Sequence, residues 1–151
     1  MKILQFGILL LPGYQWLDIA GPVDYLNQHT EYMLSGIAPE AAAKAPNINW
    51  HYISDLGNLD PVNATSGPAQ IPTTTFKTSP RLDYLLVPGG NPNYQLSNQT
   101  TTFIETQLPG LKSLLTVCTG SMILAHTGIL DGIHVATNKY ALRFSAQVKD
   151  F

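Results

Sequence analysis

The 151-residue chain is 44% hydrophobic but only 12% charged, a length for one domain with a single sheet and a surface that leans on Thr, Ser, Asn and Gln. Eight Lys and Arg against ten Asp and Glu leave a net charge of -2, which gives no basic footprint for nucleic acid. Its apolar runs, broken by Pro and Gly, fall short of the roughly 20 residues of a membrane-spanning helix.

Residues 2–11 form a nearly continuous apolar run that stops at Leu11-Pro12-Gly13, the pattern of a strand covered on both faces and hence of a parallel sheet. Gln5 and Gly7 interrupt the run and no small-residue cleavage site follows, so a buried first strand is expected rather than a signal peptide. Residues 17–29 place Leu17, Ala20, Val23, Tyr25 and Leu26 at helical spacing, with Asp18 near the start and Pro22 expected in the first turn. A connection over 30–47, rich in Ala and Pro, leads to an alternating strand over 48–54.

Segments 62–65 and 69–76, joined across Ser66-Gly67-Pro68, resemble a small hairpin. The apolar run 82–87 ends at Pro88-Gly89-Gly90, a helix is expected over 101–108, and 111–117 reads as a strand running into Cys118. Residues 119–126 then suit a helix that Gly128 ends. A strand over 133–137 and an amphipathic helix over 140–148 close the series. Strands alternating with helices in this way predict an α/β fold, a mainly parallel central sheet between helix layers. Sites in such sheets lie beyond the carboxyl ends of the strands.

Three strand ends carry chemistry. Cys118, the single cysteine, sits where an apolar strand meets a helix, the thiol counterpart of a nucleophile elbow, and a helix N-terminus favours a thiolate. A small buried hydrophobe is the alternative. Being alone, the cysteine forms no internal disulfide, which points to a reducing, cytoplasmic compartment. Gly89 and Gly90 bring bare backbone to a strand end, where N–H groups could stabilise an anion, or they form an ordinary turn needing positive φ. Asp18 is either a helix N-cap or a carboxyl held near neutrality by apolar neighbours and able to share a proton with Cys118. The histidines, His29, His51, His126 and His134, are scattered without metal-ligand spacing, so no metal site is expected.

These residues also carry a resemblance. Leu17-Asp18-Ile19-Ala20-Gly21-Pro22, the run from Asp83 to Gly90 and Val117-Cys118-Thr119-Gly120-Ser121, followed by Gly128-Ile129-Leu130-Asp131-Gly132 and Ala136-Thr137, are similar to motifs of the PfpI, or DJ-one, superfamily. That resemblance implies a class I glutamine amidotransferase-like, flavodoxin-like three-layer fold. The first and third motifs are most similar to the isocyanide (isonitrile) hydratase branch, and the pattern also occurs in sensor domains of helix-turn-helix regulators. Thr119 stands where peptidase and glyoxalase members usually carry His.

The resemblance implies Cys118 as nucleophile, Asp18 as its acidic partner, and the N–H groups of Gly90 and Thr119 as an anion pocket, with the Thr119 hydroxyl free to orient substrate or water. It implies water addition to a small uncharged substrate, no cofactor, and a homodimer. Against the family pattern, a single PfpI-type domain over 1–151 is expected to lack the last strands and the closing helix. A non-enzymatic redox-sensing or regulatory module, or an inactive shortened member, is the competing expectation.

Overall fold

The computed structural model describes residues 2–142. Four strands, β1 (Ile3–Leu10), β2 (Asn47–Ser54), β3 (Tyr84–Val87) and β4 (Ser113–Thr116), form one sheet in the order β2-β1-β3-β4. Every pairing is parallel: Ile3 to Leu10 of β1 lie opposite Asn47 to Ser54, Phe6 pairs with Tyr84, and Tyr84 with Ser113. The α/β class expected from the buried strand pattern is therefore the class observed. The second half of β1, Phe6 to Leu10, is buried, as are Leu85 to Val87 of β3. These central strands need apolar side chains on both faces. Phe6 bridges three strands, its ring 5.0 Å from Trp50 and 5.5 Å from Tyr84.

After β1 the chain moves to one side of the sheet, to β2, and after β3 it moves to the other, to β4. With right-handed crossovers, those two excursions put their helices on opposite faces. The order reverses between β1 and β3, so a crevice opens at the carboxyl ends of these two strands.

The helices are α1 (Trp16–Asn27), α2 (Glu31–Leu34), α3 (Pro39–Ala42), α4 (Asn98–Gln107) and α5 (Gly120–Ala125), with 3-10 turns at Leu108–Gly110 and Lys139–Ala141. Because α1 starts at Trp16, Pro22 falls in its second turn rather than the first. The expected connection over 30–47 folds into α2, capped by the Thr30 hydroxyl accepting from Met33 N–H, and α3, with Pro39 in its first turn. Helix α4 begins three residues before the expected start, because Ser97 caps it by accepting from Thr100 N–H at 3.1 Å. Helix α5 and its Gly128 terminator, at φ +82°, match expectation.

Two expectations need correction, and a third lies largely beyond the described residues. The hairpin over 62–76 reduces to one antiparallel bridge, Val62 to Gln70, while Ala64 and Thr74 bridge in parallel to Tyr14 and Ile53. That segment is stitched onto the strand ends rather than onto itself. Residues 133–137 form no strand: Ile133 and Val135 are exposed, and the backbone that follows hydrogen-bonds to the Cys118 carbonyl instead of to the β4 ladder. The helix expected over 140–148 lies largely outside the described residues, preceded by the 3-10 turn. Among the described residues, no helix is long and apolar enough to cross a membrane.

Candidate active site

Cys118 follows β4 by two residues and precedes α5 by two. It is the only non-glycine among the described residues with positive φ, at 56°, a left-handed conformation costing about 1–2 kcal/mol for a residue with a side chain. The surrounding backbone enforces it. Val117 N–H donates to Val87 O at 3.0 Å, Gly120 N–H donates to Val117 O at 2.9 Å, and Asn138 N–H donates to Cys118 O at 3.1 Å. A Cβ on Gly120 would collide with the main-chain oxygen of Val87. The thiol is half-buried rather than enclosed in the core, so the small-hydrophobe alternative does not describe it.

Asp18 is the third residue of α1, whose N-cap position is Gln15. Its carboxyl does not cap the helix. Oδ2 reaches across the crevice to accept from Gly89 N–H at 2.9 Å. Only 9% of Asp18 is exposed, and burial pushes its acid above the ordinary value of 3.8, against the hydrogen bonds from Gly89 and from the Cys118 thiol, which pull it down. Burial thus makes this carboxyl harder to ionise than an exposed one.

Gly89 is the spacer that lets these groups meet. A Cβ there would lie 2.7 Å from the Cys118 Cβ, 2.8 Å from Asp18 Oδ2 and 2.8 Å from Thr119 N. Neither Gly89 nor Gly90 has positive φ. Close approach, not turn conformation, accounts for Gly89.

Thr119 and Gly90 do meet, but in a manner that alters their expected roles. Gly90 N–H donates to Thr119 Oγ1 at 3.1 Å, and the hydroxyl donates back to Gly90 O at 2.9 Å. The one hydroxyl proton and the Gly90 N–H are thus both committed to this clamp. Thr119 ties the two strand-end loops together, while its main-chain N–H donates to nothing among the described residues.

The loop after Gly90 is anchored twice, by His126 Nε2 against Pro92 O at 3.1 Å and by Tyr94 OH donating to Asp55 Oδ2 at 2.5 Å. His126 is half-buried and far from a base role.

One residue at the sulfur went unread in the sequence. Asn138 Nδ2 lies 3.3 Å from Cys118 Sγ, and Thr137 Oγ1 donates to Cys118 O at 3.3 Å. Thr137 ends the segment expected as a strand, and Asn138 follows it. The only available signal was the Ala136-Thr137 motif, which marks the neighbourhood but not the amide.

An isonitrile hydratase from Pseudomonas putida is 35% identical over 137 residues, which are 89% of this chain and 52% of that protein. The HTH-type transcriptional regulator GbdR of Pseudomonas aeruginosa is 30% identical over 129 residues, 85% of this chain and 32% of the regulator. The chain thus spans about half or less of the curated relatives it matches. Among solved structures, a THiJ/PfpI family protein from Pseudomonas syringae aligns at TM-score 0.64 and 27% identity, covering 87% of this chain and 49% of that one. An AraC family transcriptional regulator from Pseudomonas putida shares the fold at TM-score 0.68 and 16% identity, covering 99% of this chain and 73% of its own. The DJ-1/PfpI family model matches residues 4–147, and the chain belongs to that family.

Proposed function

We propose that the chain carries the catalytic corner of a cysteine-dependent hydratase that adds water to a small uncharged substrate, converting an isocyanide to an N-substituted formamide. The observation that carries this reading is a buried carboxyl, held by Gly89 N–H and hydrogen-bonded to the thiol, beside a cysteine at a positive-φ elbow. The 35% identity with an isonitrile hydratase supports it.

The thiol proton passes to Asp18, and the Cys118 sulfur attacks the terminal carbon of R–N≡C. Asp18 delivers its proton to that carbon, giving the thioimidate R–N=CH–S–Cys. Water adds across the C=N bond, its oxygen to carbon and one proton to nitrogen. Collapse expels the sulfur and restores the thiol–carboxyl pair with the second proton, releasing R–NH–CHO. No oxidant or external cofactor enters the balance. The unbonded N–H of Thr119 supplies a donor for charge that develops opposite the sulfur.

Purified protein is expected to convert an aryl isocyanide to its formamide, with turnover lost in Cys118→Ala and in Asp18→Asn. Wild-type turnover no better than that of Cys118→Ala overturns the proposal. A second reading, a sensing module in which Cys118 is oxidised without turnover, draws support from the similarity to a transcriptional regulator. For that reading, mild peroxide should place a sulfenic or sulfinic adduct on Cys118, seen by mass spectrometry, in protein inert toward isocyanides.

A further inference from the structure

Resting on the reading of Cys118 as the nucleophile, we infer that Asn138 is a positioning residue for the sulfur, donating an amide hydrogen bond that strengthens as negative charge develops there. The orientation of the amide is fixed by its other end. Asn138 Oδ1 accepts from Tyr140 N–H at 2.9 Å, capping the 3-10 turn at Lys139–Ala141, so the group presented to Cys118 Sγ at 3.3 Å is the NH2. An amide N–H is a donor only, and a thiolate is a far better acceptor than a thiol. The contact therefore strengthens when the sulfur loses its proton.

The main chain reinforces the placement. Asn138 N–H bonds Cys118 O at 3.1 Å, and Thr137 Oγ1 bonds the same carbonyl at 3.3 Å. Two successive residues thus grip the nucleophile's own peptide group, and the amide is carried to the sulfur by a short, doubly anchored strap. Asp18 is the titratable side chain that acts on the sulfur from α1, and Asn138 is its uncharged counterpart from the strap. The proton shared by Sγ and the Asp18 carboxyl has two positions. A donor on sulfur favours the position on Asp18, which is the arrangement the attack on carbon requires: charge on sulfur, proton on the acid that will deliver it. The sulfur–oxygen transfer moves one proton between two groups already in the site, and nothing else is consumed.

Asn138→Asp separates this role from a structural one, because Asp keeps the oxygen that caps Tyr140 N–H while replacing the donor to sulfur with an acceptor. The second-order rate of Cys118 alkylation by iodoacetamide, measured at several pH values on the full chain, is the readout, with a thermal melt as the folding check. The expected result for Asn138→Asp is a fall of at least tenfold at pH 7, with the rate profile displaced to higher pH. Asn138→Ser retains a hydroxyl able to cap the turn but too short to reach Sγ, and it should slow alkylation several-fold should the Asp variant fail to fold. Rates for both variants, or for the one that folds, within twofold of wild type across the pH range overturn the assignment. Alkylation does not depend on isocyanide turnover: loss of reactivity in these variants of a chain without hydratase activity leaves Asn138 in its role and removes only the hydratase reading.

Discussion

Two neighbouring glycines end β3, and the structure assigns them unequal consequences. An alanine at Gly89 would place its Cβ 2.7 Å from the Cys118 Cβ, where favourable carbon–carbon contact begins at about 3.5 Å. The same atom would meet Asp18 Oδ2 and Thr119 N at 2.8 Å each. No flexible side-chain tip is available to yield: the three neighbours are the elbow backbone, the root of the nucleophile, and a buried acid held by the N–H of Gly89 itself. Relief requires a displacement of about 1 Å between thiol and acid, a misplacement that costs catalysis on the order of 100-fold. Overpacking of this kind also costs about 1–3 kcal/mol of stability.

Alanine at Gly90 provides the comparison. Its Cβ would find Gly13 O at 3.5 Å, an ordinary contact, and its N–H would still reach Thr119 Oγ1. Turnover of an aryl isocyanide, followed as formamide appearance, should fall about 100-fold in Gly89→Ala and less than about threefold in Gly90→Ala, with Tm lowered by several degrees in the former only. Gly89→Ala retaining a third or more of wild-type turnover, or equal damage from the two variants, refutes the steric reasoning.

The remaining expectations concern protons and anchors. Asp18 is a weaker acid in the folded chain than its ordinary value of 3.8, because burial disfavours its charge, so its contribution to stability is fully present below that value and is lost as pH rises through the raised folded value. Asp18→Asn, which cannot ionise, should therefore melt above wild type at pH 7, with the difference closing toward pH 4 in melts run across that range; a lower melting point at pH 7 contradicts the burial argument. Tyr94→Phe removes the donor to Asp55 Oδ2 while Oδ1 of that buried carboxyl already lacks a partner among the described residues, and denaturant unfolding should register a loss of about 1–3 kcal/mol. An unchanged midpoint would mean that water replaces the phenol without cost.

Much of this was legible because parallel strands buried on both faces write themselves as unbroken apolar runs. β1 and β3 were located within about two residues by such runs, β2 by its alternation, and the strand ends then directed attention to Asp18, Gly90 and Cys118. The strand expected over 133–137 overreached, since Ile133 and Val135 are exposed. A short segment supplies no ladder by itself, and here the nearby donors go to the Cys118 carbonyl. The hydroxyl of Thr119 illustrates another limit. Its residue type announces a donor, yet whether that donor points to substrate or to Gly90 O depends on how two loops 29 positions apart meet. Asn138 and the Tyr94–Asp55 pair were unreadable for the same reason, since each contact joins segments whose separation in sequence carries no periodic signal. Ser97, by contrast, was available as a cap before Thr100 and would have set the start of α4 correctly.

The arrangement also separates what the fold must supply from what the chemistry must add. A positive φ at Cys118 is unfavourable, and it persists because both sides of the peptide are over-determined: Val117 and Gly120 lock the strand-to-helix turn, and Asn138 and Thr137 hold its carbonyl. An elbow maintained in this way exposes a sulfur whether or not anything turns over, which is consistent with one fold serving the P. putida hydratase and transcriptional regulators. Turnover of an isocyanide asks for something the elbow does not provide, a proton delivered to carbon after the sulfur attacks. Under the proposed reaction the group to deliver it is Asp18, buried, harder to ionise than an exposed acid, and brought to Cys118 across a residue without a side chain. A cysteine that merely oxidises uses such a group only as an acceptor for the thiol proton, whereas hydration also needs that proton delivered to carbon. The discriminating variant is therefore Asp18→Asn rather than Cys118→Ala: loss of Cys118 silences both an enzyme and a sensor, whereas Asp18→Asn should abolish formamide production and only slow the oxidation of Cys118 by peroxide.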